Sequence, residues 1–137
     1  MRYLLDTDII SNLMRREPSL TLVQRLARVP PEAQCTSAIT LGELMYGAQR
    51  LPARAADLLA RIEQLIPEQL PVLSFDESAA RRYGSIRAGL EAAGTPIGEA
   101  YLRIAAIALA HRLTVVTANV RHFERVPQLE VENWLAE

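Results

Sequence analysis

The chain contains no lysine, so all fifteen of its strongly basic side chains are arginine. This removes the ammonium that usually holds a transferred phosphoryl group in phosphoaspartyl enzymes. It leaves only planar guanidiniums, which pair with phosphate or carboxylate through two parallel bonds. Cysteine is almost absent as well. With Cys35 alone, an internal disulfide and a cysteine-based zinc site are both excluded. Long apolar runs are missing: the longest, around residues 104–110, is too short to span a bilayer. Near the amino terminus only three apolar residues separate Arg2 from Asp6, which is no secretory signal. The expectation is a cytoplasmic protein without membrane association. The net charge of −1 makes no demand for a nucleic-acid partner on composition alone.

Half of the residues are hydrophobic, with Ala and Leu abundant, and 137 residues suffice for one domain, 1–137, with its own core. "RYLL" reads as a short buried strand ending at Asp6, and "TDIISNLMRR" as a helix with Ile9, Ile10, Leu13 and Met14 at helical spacing. Pro18 and Ser19 break that helix and cap a second, to about Arg28. "AQCTS" follows as a strand, then "AITLGELMYGAQR" and a segment to about Leu65 as helices. "PVLSF" reads as a strand. Asp76 precedes a long helix that Gly94 stops, and "EAYLRIAAIALAHR" is the next helix. "LTVVTAN" is the clearest strand, and "LEVENWL" supplies a last short one. Alternating strands and helices predict an α/β domain with a mostly parallel sheet.

In such sheets ligands bind beyond the carboxyl ends of the strands. That rule selects Asp6, the segment Thr117 to Asn119, and Cys35 to Ser37. Asp76 also qualifies, although a helix N-cap explains it. "LLDTDII" admits three readings: a phosphoryl-accepting nucleophile with Asp8 as its acid/base, a metal ligand, or a plain N-cap. The nucleophile fails, since there is no Lys and no acidic pair follows a later strand.

Four stretches taken together decide between the others. "LLDTDIIS", "TSAITLGELMYG" with Glu43 four residues before Gly47, "GTPIGEAYLRIAAIALA" and "LTVVTANVRHFERVP" occur in this order. The chain thereby resembles the PIN-domain ribonucleases, specifically the VapC-type toxins of toxin–antitoxin pairs, over essentially its whole length. The resemblance implies a PIN fold, a central, mostly parallel twisted sheet of about five strands flanked by helices. It implies endoribonuclease activity dependent on Mg²⁺ or Mn²⁺, hard cations that seek carboxylate oxygen and activate water. Asp6 would be the central ligand, Glu43 would act directly or through water, and Asn119 matches a position held by Asp or Asn in relatives. Thr7, Asp8, Thr40 and Thr117 would support these residues by hydrogen bonding. Implied partners are an RNA substrate, a second copy of the chain and a VapB-like antitoxin, with larger assemblies on operator DNA formed through that antitoxin.

The chain departs from the family at Tyr101, where relatives carry an acidic ligand. A phenol of ordinary pKa about 10 is a neutral, poor ligand. Glu99 is the nearest acid and a possible substitute, although residues two apart on a helix do not share a face. A catalytically silent module acting through antitoxin and operator is therefore the alternative. Arg15, Arg121 and His122 are candidate RNA contacts, as are Arg16, Arg50 and Arg125, with ordinary solvated side chains as the plain alternative. An antitoxin groove is expected from Ile9, Ile10, Leu13, Leu44 and Met45, which equally suit a core.

Overall fold

A computed structural model describes residues 1–136. Five strands form one sheet: β1 (Tyr3–Leu5), β2 (Gln34–Ser37), β3 (Val72–Leu73), β4 (Thr114–Val116) and β5 (Val131–Glu132). Their order is β3-β2-β1-β4-β5 and every pairing is parallel. Seven α-helices connect them: α1 (Thr7–Leu13), α2 (Leu20–Ala27), α3 (Ala38–Gln49), α4 (Ala55–Leu65), α5 (Glu77–Ala92), α6 (Glu99–His111) and α7 (Val120–Phe123). The α/β expectation with about five strands holds.

Side chains on a strand alternate between its faces, and β1 uses this to join two cores. Leu4 packs with Cys35, Val115, Phe123 and the buried side of α6. Leu5 packs with Val116, Ile9, Ile10, Leu22, Ile62 and Trp134 on the other face. Helix α6 is apolar over most of its circumference, burying Leu102, Ile104, Ala105, Ala106, Ile107 and Ala108. Its alanines let backbone approach backbone, which suits a helix wedged between the sheet and α5. The segment around 104–110 is therefore core, consistent with its sequence.

Helix ends follow from local chemistry. Ser19, Ser37 and Asp76 each accept a backbone N–H of the following first turn, from Leu22, Thr40 and Ala79. Gly94, at φ +73°, closes α5: its N–H reaches the Glu91 carbonyl while that of Thr95 reaches Leu90. Helix α1 ends earlier than its pattern suggested, at Leu13. The Asn12 side chain accepts the Ser19 N–H at 2.8 Å, tying the following loop back onto the helix.

Two strands are shorter than their sequence runs, since β3 and β5 pair over only two residues each. The groove expected on α1 and α3 is also corrected. Ile9, Ile10 and Leu44 are core residues, 0%, 0% and 6% exposed, and only Leu13 and Met45 keep partial exposure. The cavity at that place keeps Leu44 in its wall and adds Met14, Leu51, Leu58, Arg15 and Arg54.

Candidate active site

Chain order reverses at β1: β2 leaves to one side of it and β4 returns on the other. The crevice at such a switch point is where side chains from two strand ends can meet around a ligand. Leu5 pairs with Val116, and the Asp6 N–H donates to the Val116 carbonyl at 3.0 Å, so Asp6 and Thr117 leave the sheet side by side.

Asp6 occupies the N-cap position of α1 yet makes no side-chain cap. Its carboxylate is 3% exposed and accepts the Thr117 hydroxyl at 2.8 Å. The carboxylate is thus held from the end of the neighbouring strand, by Thr117. Burial, then the neighbouring charge of Asp8, push its pKa up to about 6, with Glu43 adding to the rise. Asp8 accepts the Ala118 N–H at 2.8 Å and the Asn119 side-chain amide at 3.4 Å, and burial raises its pKa as well. Thr117 has one proton to give. Its hydroxyl lies closer to Asp6 than to either oxygen of Asp8, at 3.4 Å each, so Asp6 receives it while the Asn119 N–H donates to the hydroxyl oxygen.

Glu43 arrives from α3. The Thr7 hydroxyl donates to it at 2.6 Å and lies 3.2 Å from the hydroxyl of the buried Thr40. Asp6, Asp8, Glu43 and Asn119 line one cavity of about 630 Å³, together with Arg15, Glu99 and Tyr101. The ion pairs among the described residues engage Asp57, Glu77, Glu91 and Glu99, never Asp6, Asp8 or Glu43. Gathered carboxylates without a protein cation repel one another, and a bound cation relieves that repulsion. The donor set is all oxygen and suits a hard divalent ion. Coordination is nonetheless incomplete: among the described residues no three His, Cys, Asp or Glu side chains are grouped closely enough to hold a metal.

Glu99 lines the cavity as well, but its carboxylate is already engaged. Its carboxylate accepts the Tyr83 hydroxyl at 2.6 Å and pairs with Arg87 and Arg103 at 3.3 and 3.5 Å. The first turn of α6 thus delivers it toward α5, while Tyr101, two residues on, faces the acids. Those acids and burial both raise the phenol's pKa, so it is a neutral group at physiological pH. His122 was read as a surface residue or RNA contact. It is partly buried, stacked on Tyr101 with ring centroids 4.5 Å apart. Arg121 beside it is exposed. Sequence reading missed α7 and this aromatic pairing, and the signal was "VRHF" directly after Asn119.

The PIN domain family matches residues 3–129. Among curated relatives, "Ribonuclease VapC2" of Haemophilus influenzae is 37% identical over 139 residues, covering 98% of this chain and 99% of its own length. "tRNA(fMet)-specific endonuclease VapC" of Salmonella typhimurium is 37% identical over 134 residues, covering 98% of both chains. Among solved structures, FitAcB from Neisseria gonorrhoeae superimposes with a TM-score of 0.89 at 34% identity, over 98% of this chain and 99% of that one. The DNA-bound VapBC of Salmonella typhimurium gives 0.85 at 37% identity, over 98% of each.

Proposed function

The chain belongs to the PIN-domain family, and on that footing we propose that it is a VapC-like toxin, an endoribonuclease held in check by a VapB-like antitoxin. One observation supports this reading most: Asp6, Asp8 and Glu43, none of them in an ion pair among the described residues, line one cavity at the switch point of the sheet. Asp6, Glu43 and Asn119 would hold a divalent ion, Mg²⁺ or Mn²⁺. When bound, it would supply an activated water and stabilise charge on the phosphate.

The chain's own residues divide the remaining work. Thr117 fixes the Asp6 carboxylate by its short hydrogen bond and so orients the deepest donor. Asp8 clamps the Thr117–Asn119 turn through the Ala118 N–H. Thr7 sets the rotamer of Glu43, leaving the second carboxylate oxygen free to accept a proton from an attacking water. Arg15, on the cavity wall, is placed to pair with a phosphate of the RNA.

The antitoxin assignment rests on the VapBC and FitAcB relatives. In this reading operator DNA is reached through the antitoxin, and the toxin pairs with a second copy of itself. A second reading, a catalytically silent domain acting only through its partner, is favoured by the phenol at position 101 and the incomplete acid group. Cleavage of a structured RNA by purified chain with Mn²⁺ separates the two. The ribonuclease reading expects fragments that vanish in the Asp6→Asn variant. Equal cleavage by both proteins, or none by either, rejects it.

A further inference from the structure

We propose that the stacked Tyr101–His122 pair is a base-stacking contact for RNA at the acid cavity, an inference that rests on the ribonuclease reading above. The two rings lie 4.5 Å apart and only 11° from parallel. Phe123, wholly buried, braces Tyr101 edge-on at 5.3 Å and 83°, which ties the pair to the core. Gly98 lies so near that a Cβ there would meet the edge of the Tyr101 ring at 3.4 Å. The phenol ring is therefore held in place before any ligand arrives, and little side-chain entropy is lost on binding.

Phe123 is core and Tyr101 packs against that core with part of its surface, while His122 covers one Tyr101 face from outside it. Tyr101 and His122 both remain partly exposed, and Tyr101 forms part of the cavity wall that carries Asp6, Asp8 and Glu43. A wall of carboxylates repels phosphate, whereas a neutral aromatic face accepts any base by stacking. The phosphates then need cations nearby. Arg15 lines the same cavity and Arg121 precedes His122, and among the described residues neither arginine is in an ion pair. The arrangement combines an aromatic stack with one unpaired arginine on the same cavity wall as Tyr101 and another next to His122 in sequence. Aromatic faces with nearby cations are a usual way of holding unpaired RNA bases.

The test measures RNA binding without cleavage. A short single-stranded RNA carrying 2-aminopurine and a terminal fluorophore is titrated with full-length protein in EDTA. Base fluorescence and anisotropy are read together. The unmodified chain should quench the 2-aminopurine. Tyr101→Ala and His122→Ala should each weaken binding roughly tenfold, within the range for losing one base–aromatic stack, and abolish quenching. Tyr101→Phe should keep both signals, because it retains the ring and serves as the folded control. Thermal unfolding of each variant establishes that it is folded. The inference is overturned if folded Tyr101→Ala and His122→Ala bind and quench as the parent does, or if Tyr101→Phe loses binding. In those outcomes the ribonuclease reading stands. A parent that binds no RNA in EDTA also overturns the stacking inference, while the cleavage assay with Mn²⁺ decides the ribonuclease reading separately.

Discussion

Asp6 is held at a cost to the fold. Its pKa is raised from an ordinary 3.8 to about 6 by burial and by Asp8 and Glu43. Below about pH 4 the group is protonated in both folded and unfolded states and contributes nothing. Between about 4 and 6 the folded chain binds more protons than the unfolded one, so stability falls as pH rises through this window. Above it, the full penalty of about 3 kcal/mol is present in metal-free protein. Asp6→Asn should therefore raise the melting temperature in EDTA at pH 7.5 by several degrees and flatten the pH dependence between 4 and 6. Equal melting curves for the two proteins would falsify the idea that this carboxylate is strained. A bound cation would relieve this penalty, because it favours the ionised form of the carboxylate. The candidate acids Asp6 and Glu43 were legible from their motifs. The engagement of Glu99 was not, because its partners Tyr83 and Arg87 lie on another helix, far away in sequence.

At the level of elements, helix ends carry most of the local information. Ser19, Asp76 and Gly94 were readable because their chemistry is local, whereas Ser37, taken for a ligand-side strand end, proves to be the N-cap of α3. The end of α6 was not marked in this way. Arg112 stands there at φ +56°, with the Leu113 N–H reaching Ala108, the place a glycine usually fills. Backbone strain of this kind is partly relieved by glycine, whose left-handed conformation meets no Cβ. Arg112→Gly should accordingly stabilise the domain by about 0.5 to 1 kcal/mol in denaturant unfolding, and a loss of that size would contradict the strain argument. Helix α7 was overlooked because four residues give no periodicity to detect. Likewise β3 and β5 were read too long, since hydrophobic runs do not show where a neighbouring strand stops pairing. The expected antitoxin groove failed for a related reason. A helix buried on most sides and one with an exposed apolar stripe share similar composition, and Ile9, Ile10 and Leu44 proved to be core.

Over the whole molecule, the fold does one thing for the chemistry. Parallel pairing of β1 with β4 brings residues 6 and 117 together across 110 intervening residues of chain, and α3 adds Glu43 from the side. Alternation of strands and helices made this architecture legible. The switch-point rule then selected Asp6 and Asn119 before any contact was known. What the alternation did not disclose was how closely the acids converge, or that Tyr101 is stacked on His122 at the cavity wall. No helix among the described residues is long and apolar enough to cross a membrane.

Binding of Mn²⁺ itself, followed by the loss of its free-ion paramagnetic resonance signal, tests the central claim without reference to RNA. The account predicts weak binding by the unmodified chain, loss of that binding in Asp6→Asn, and at least tenfold tighter binding in Tyr101→Asp, which restores an acid to the cavity wall. Identical isotherms for all three proteins would contradict it, for then the unpaired carboxylates around Asp6 are not an ion site.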